Sequence, residues 1–523
     1  MINQSLSRFF KALAFIVGLF ILTSCTTSKN TFSNNTTDFC KDIQFSRYTS
    51  LNYQLAPYSS YLKGNKTGVY VLEQGTEAML TRAWLTEHAQ KTIDIQYFIF
   101  STDNIGLLAI DYLVRAADRG VKIRILIDDI MLGTESRDLL TLNAHPNIQL
   151  KIYNPVANVG KNILQKLTNL ALNFHGFNQR MHNKTFTVDS MVSITGGRNI
   201  ADEYFGYDHE YNFRDRDVFL VGKTPKVIEK SFDQFWNNNL SIPVTELLPD
   251  EQLKNNEATS ATNHFAKLHQ YACNPDNFLP EIREQISSMP LAFQYAVNTG
   301  QVHWLSDVEY VSDAPGKNDA KQFLGGSGTS TNRLIELVKS AKKSVTIQTP
   351  YLITTELGKG IFRALVDKGV EVKILTNSLA SNDNLEAFSG YQRDRKALLK
   401  TGVKIYEFKP DAKIRKKVMS KEMSQKLPQD PIFTLHAKSM VIDEKIAVIG
   451  TFNLDPRSAN LNTESITIIP SLKIAKKLKS IMEVEMSPDN AWETTLKWNP
   501  DNEVSLSKRL KVQSRRIVPR SIL

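Results

Sequence analysis

The chain has 523 residues, 41% of them hydrophobic, and carries 64 Lys and Arg against 54 Asp and Glu, a formal net charge of +10. That size and apolar content bury a large core and exclude a single small domain. The basic balance suits an anionic partner, either lipid headgroups or nucleic acid. The cysteines show no metal-ligand spacing.

Residues 1–24 read as a processing segment outside the fold. Arg8 and Lys11 give a positive start, and Ala12–Leu22 is an apolar run of 11 residues, short for a transmembrane helix. The run ends in Leu22-Thr23-Ser24-Cys25, which is similar to a bacterial lipobox with Cys25 as the lipidated residue; an uncleaved signal anchor is the alternative. Residues 25–66 form a tether and N-terminal segment, with Asn30–Asp38 rich in Asn, Thr and Ser. Beyond an acylated Cys25, Cys40 and Cys273 remain as a pair in a compartment that permits disulfides, and the sequence leaves open whether they join.

From there the chain alternates strand and helix. Ile93–Phe100 is an apolar strand. Asn104–Arg119 places Ile105, Leu108, Ala109, Tyr112, Leu113 and Ala116 at helical spacing, Gly120 ends that helix, and Val121–Ile127 is the next buried strand. The pattern returns: residues 89–97 reappear at 341–349 and 119–126 at 368–375, at an offset between 249 and 254. So long a period means a duplicated domain rather than a solenoid. Strand–helix–strand order predicts an α/β fold with mixed, mostly parallel sheets and helices on both faces. The division is a first domain over 67–245, a connecting segment over 246–325, a second domain over 326–500 and a basic tail over 501–523. The connection holds polar stretches (Asn255–Asn263), an ordered part marked by Trp304, and a Gly325–Gly328 loop before a helix over Asn332–Ala341.

One motif occurs in both halves. His182, Lys184 and Asp189 follow the pattern His-x-Lys-x4-Asp, as do His436, Lys438 and Asp443; Asn199 and Asn453 each lie 17 residues after their His. A His and a Lys two apart share a strand face, and an imidazole beside an ammonium suits chemistry on a phosphate. Asp189 and Asp443 stand at an odd separation from their His, which points them to locking a turn or bridging an interface.

The paired motif resembles the phospholipase D superfamily. The stretches 196–205 (GGRNIADEYF) and 450–458 (GTFNLDPRS) look most like bacterial cardiolipin synthases of the class C type. The resemblance implies two similar αβα sandwich domains packed with pseudo-two-fold symmetry, so that both motifs meet at one interface. It also implies a covalent phosphohistidine, with His182 as nucleophile and His436 as general acid and base. Lys184 and Lys438 would neutralise the phosphoryl oxygens and Asn199 and Asn453 would add donors, with no metal and no cofactor. Each His needs a carboxylate on its second nitrogen. Counting from the His of the same half, Glu464 is the candidate in the second half; in the first, Asp215 is preferred over Glu210. The implied activity transfers a phosphatidyl group to phosphatidylglycerol, with phosphatidylethanolamine as a further substrate. Hydrolysis of phospholipid or, more remotely, of nucleic acid is the alternative. The membrane surface is the expected partner, with no nucleic acid and no obligate protein partner. Apolar residues at helical spacing before each motif, Ile163–Phe174 and Ile414–Leu427, suggest a basic amphipathic collar. The tail, with Lys508, Arg509, Lys511, Arg515, Arg516 and Arg520, reads as a disordered polybasic arm. The expected location is the bacterial envelope, lipid-anchored on the periplasmic side. Thr26 after Cys25 favours the outer membrane.

Overall fold

The computed structural model describes residues 49–129, 137–155, 179–247, 258–317, 328–419, 430–520 and 523. Cys25, Cys40, the 163–174 segment, the Gly325–Ser327 part of the loop, Met423 and Leu427 lie outside them.

In the first half, Thr92–Tyr97, Lys122–Asp128 and Ile148–Tyr153 form a parallel trio. The helix Asn104–Asp118 crosses between the first two; Asp103 caps it by accepting the Gly106 N–H, and Gly120 leaves it at φ +95°. The second half repeats this with Ser344–Gln348, Glu371–Asn377 and Lys404–Phe408. There Thr355 caps the helix Glu356–Asp367 and Gly369 follows at φ +82°. Within each large sheet the parallel pairing is confined to its trio, and antiparallel strands complete a mixed sheet. The strands after each His-Lys motif turn back in tight hairpins, Thr185–Val188 with Val192–Gly196 and Ser439–Ile442 with Ile446–Gly450. A hairpin enforces antiparallel neighbours. Among the described residues, nine strands make one mixed sheet and eight the other.

Asp189 and Asp443 sit in those hairpin turns, both at φ +52°. Asp189 accepts the backbone N–H groups of Gln90, Lys91 and Thr92, and Asp443 those of Lys342, Lys343 and Ser344. Each carboxylate thereby ties its turn to the start of the neighbouring parallel strand.

Contacts of several kinds join the halves. An apolar layer packs Val69, Val218 and Leu220 against Val441, Ile449 and Leu478. Tyr211–Arg214 of the first half pairs in parallel with Ile432–Leu435 of the second, and Met181 bridges Thr463. The connecting segment is more ordered than its polarity suggests. Its helices Ala258–Cys273 and Pro280–Asn298 pack on the first domain, and its strands His303–Leu305 and Glu309–Ser312 extend one sheet each. Cys273 is disulfide-bonded.

Two expectations about the surface change. Residues 414–419 form no outward collar: Ile414 is buried, and Val418 and Met419 pack with Phe433 and Tyr406. The tail is not disordered. Leu506–Ser514 is a helix seated on Leu385–Leu399 by the buried Val512, an Arg515–Glu386 ion pair and an Arg520–Asp394 ion pair. Among the described residues, no helix is long and apolar enough to cross a membrane.

Candidate active site

Both motif histidines are placed by contacts from the opposite half. His182 donates its backbone N–H to Thr463, and His436 donates its own to Arg214. The side chains are exchanged in the same way. His182 Nδ1 lies 2.9 Å from Glu464 Oε2, and His436 Nδ1 lies 2.6 Å from Asp215 Oδ2. Glu464 and Asp215 therefore are the carboxylates, but each serves the histidine of the other half, and counting within a half assigned the partners wrongly. The physical reason is the pairing of Tyr211–Arg214 with Ile432–Leu435, which carries Asp215 directly past His436. Glu210 instead lies at the exposed head of that strand, its N–H held by Asp208.

The carboxylates are themselves fixed. Asp215 Oδ1 accepts the Arg216 N–H at 2.7 Å. Glu464 accepts from the hydroxyls of Ser458 (2.7 Å) and Thr451. Both are fully buried. With Nδ1–H donating to a carboxylate, Nε2 of each ring is left with its lone pair. Aromatic rings frame the imidazoles: Phe98 sits edge-on to His182 at 5.0 Å, Phe213 stacks on His436 at 4.9 Å, and Tyr204 meets His436 edge-on at 5.1 Å.

Lys184 Nζ donates to the His182 carbonyl at 2.8 Å, and Lys438 Nζ to the His436 carbonyl at 2.6 Å, with Lys438 also 3.1 Å from His436 Nε2. Asn199 is used locally: its Oδ1 accepts the Ile99 N–H and its Nδ2 donates to the Tyr204 hydroxyl. Asn453 differs, because its buried Oδ1 has no partner among the described residues. Asp189 and Asp443, grouped by the motif with the catalytic residues, spend their carboxylates on the backbone N–H groups described above.

Burial sets the charge states. It pushes His182 down to about 4 and His436 down to about 3, and for His436 the Lys438 ammonium adds to the effect; the paired carboxylates only partly oppose this. Lys184 is pushed down to about 7 and Lys438 to about 8, again by burial first. Burial acts to raise Asp215 and Glu464, but their basic partners win and hold both below the usual carboxylate range, the paired imidazole foremost in each case, with Lys438 beside Asp215 and Lys184 beside Glu464. The imidazoles are thus neutral and the ammoniums hold their protons weakly. A phosphodiester entering between them would supply the charge they lack and raise all four basic groups. Among the described residues, no cluster of three or more His, Cys, Asp or Glu side chains is placed to hold a metal ion.

Sequence reasoning gave no role to Phe98, Tyr204, Phe213, Thr451 or Ser458. The last two and Tyr204 stand inside the glycine-led stretches that follow each motif, so their signal was adjacency to Asn199 and Asn453.

A family profile described as "Cardiolipin synthase, PLD-like domain" matches residues 85–236 and 334–485, one repeat in each half. Cardiolipin synthase C of Escherichia coli (strain K12) is 33% identical over 446 residues, covering 84% of this chain and 88% of that protein. Cardiolipin synthase 1 of Bacillus anthracis is 25% identical over 455 residues, covering 87% and 72%. The crystal structure of phosphatidylserine synthase from Haemophilus influenzae Rd KW20 covers 90% of this chain and all of that one, with a TM-score of 0.55 at 13% identity, a likeness of fold alone. The chain belongs to the phospholipase D-like cardiolipin synthase family. It is an enzyme of the phospholipase D superfamily, in its phosphatidyltransferase and phosphodiesterase class.

Proposed function

We propose that this enzyme moves a phosphatidyl group onto the free hydroxyl of phosphatidylglycerol, making cardiolipin through a phosphohistidine. The observation that carries the reading is the pair of buried imidazoles, each with Nδ1 on a carboxylate and with a lysine two residues on. Identity to cardiolipin synthase C over most of both chains supports the substrate class. In the first step His182 Nε2 attacks phosphorus and the bond to the leaving alcohol oxygen breaks, while His436, protonated at Nε2 once the anionic phosphodiester is bound, gives that proton to the leaving oxygen. In the second, His436 takes the proton of the incoming hydroxyl, the new phosphorus–oxygen bond forms, and the phosphorus–nitrogen bond breaks. Lys184 and Lys438 hold the non-bridging oxygens. If water enters in place of the lipid hydroxyl, the same intermediate gives phosphatidate.

The membrane surface and the location belong to the same proposal: an envelope enzyme, lipid-anchored through Cys25 on the periplasmic side, with the outer membrane favoured. The test is purified enzyme on phosphatidylglycerol vesicles, with and without phosphatidylethanolamine. Cardiolipin as the main product is expected. Phosphatidate as the main product replaces transfer by hydrolysis, and no turnover of either lipid overturns the lipid assignment.

A further inference from the structure

The loop Ala380–Asp383 lies against the strand that leads into His436, for Thr434 Oγ1 donates to the Ser381 carbonyl at 2.7 Å. From the other side, Lys508 Nζ of the C-terminal helix donates to the Ala380 carbonyl at 3.1 Å. The helix Leu506–Ser514 is therefore one loop away from a catalytic histidine. Asp383 of that loop accepts a hydrogen bond from Tyr351 at 2.9 Å, and its carboxylate feels both Lys438 and Lys508.

The helix has two unlike faces. Val512, Lys508 and Arg515 turn inward, onto Leu385–Leu399 and the loop. At a turn of about 100° per residue the opposite face carries Leu506 and Leu510, and Ile517 follows in the next turn of chain. All three are open to solvent, at 61%, 55% and 66% exposure. Basic residues flank them. Arg509 and Arg516 donate to the neutral side chains of Asn502 and Gln392, and the Lys511 ammonium has no partner among the described residues. No acidic residue follows Glu503 in the sequence. An apolar ridge edged by cations, with no anion on its own segment, has the charge and polarity of an element that lies in a lipid headgroup layer.

We propose that the C-terminal helix is the docking element that seats the His436 side of the catalytic site on an anionic bilayer, with Leu506, Leu510 and Ile517 entering the acyl boundary and Arg509, Lys511 and Arg516 meeting lipid phosphates. This rests on the phospholipid reading above and adds where the membrane is met. The catalytic groups are not among these residues, so docking and chemistry are separable.

The experiment uses the full chain, unchanged and as the triple variant Leu506→Ser, Leu510→Ser, Ile517→Ser, with vesicles of phosphatidylcholine alone or with one-third phosphatidylglycerol. Amide hydrogen exchange over 506–517 is expected to slow at least tenfold on the anionic vesicles and not on the neutral ones, whatever the N-terminus contributes to partition. The variant should lose that protection and turn over bilayer-embedded lipid at least tenfold more slowly, while a short-chain monomeric donor reacts at the unchanged rate. A second variant, Arg509→Gln, Lys511→Gln, Arg516→Gln, should remove the preference for anionic vesicles. Exchange at 506–517 that ignores anionic vesicles overturns the proposal. So does a Ser variant that loses monomeric and bilayer activity equally, which would make the helix a structural prop. If the unchanged enzyme is protected on vesicles yet turns over neither lipid, the functional reading fails and the docking surface stands.

Discussion

Asp215→Asn tests the exchange of carboxylates between halves. The amide is nearly isosteric with the buried carboxylate 2.6 Å from His436 Nδ1, but it has one acceptor oxygen where Asp215 uses two, for His436 and the Arg216 N–H, so the change removes the charge and one acceptor. Opposite charges about 4 Å apart interact by roughly 4 kcal/mol at an effective dielectric of ~20. Since ~1.4 kcal/mol is a decade in rate, turnover of a natural phospholipid should fall by about 10³-fold. That loss falls on the step His436 performs. If His436 protonates the leaving oxygen, a donor with a nitrophenol leaving group needs little acid help, and Asp215→Asn should release nitrophenol within about tenfold of the unchanged enzyme. Glu464→Gln weakens His182 instead, so both donors should suffer alike. The assay is a rapid-quench burst of nitrophenol beside steady-state lipid turnover, run with His182→Ala and His436→Ala as references. If the nucleophile is His436 instead, the two patterns swap, but Asp215→Asn still follows His436→Ala. An Asp215→Asn enzyme whose donor pattern follows His182→Ala refutes the crossed pairing.

Binding of inorganic phosphate or tungstate at pH 8 should take up roughly one to one and a half protons, because Lys184 and Lys438, pushed down to about 7 and to about 8, regain their charge beside the anion; calorimetry in buffers of different ionisation enthalpy reads this directly, and zero uptake contradicts it. The same lysines bind fewer protons folded than unfolded between about 7 or 8 and their ordinary value near ~10.4, so their contribution to stability rises with pH across that window; an added anion should flatten the rise in a pH series of melting curves. Asp189→Ala strips three backbone N–H groups of a charged acceptor at a left-handed turn and should cost about 2–4 kcal/mol in chemical denaturation, with kcat of the remaining folded enzyme within about threefold of unchanged. Mass spectrometry of the membrane-bound protein should find an acylated Cys25 at the mature N-terminus, and an intact peptide across residues 20–30 contradicts the lipid anchor.

The duplication was legible because it is written in local patterns. The helix Asn104–Asp118 has its apolar spacing and its terminal Gly120 within seventeen residues of sequence, and the structure keeps both. Sheet order was less legible, since pairing between strands far apart in the chain leaves no local trace. Thr185–Val188 sits beside Thr92–Tyr97 as an antiparallel neighbour, and no periodicity in either stretch says so. The tail misled because six basic residues outweighed what holds it. Val512 and the ion pairs to Glu386 and Asp394 are single contacts to a distant helix, and composition averages them away.

The crossed carboxylates show the same limit at the site. The residues could be found by motif, but which His each one serves depends on a two-stranded ladder between halves 221 residues apart. That ladder has a functional consequence. In a domain that held its own carboxylate, one half could keep a competent imidazole when the other was damaged. Here His182 needs Glu464 and Thr463 from the second half, and His436 needs Asp215 and Arg214 from the first. Loosening the interface therefore removes orientation and charge from both imidazoles at once. A substitution in the shared apolar layer, such as Leu220→Asp against Val441 and Ile449, should abolish activity in a protein whose two sheets each remain helically flanked and folded. Retained single-histidine chemistry in that variant would mean the halves are autonomous. The crossed geometry requires that they are not.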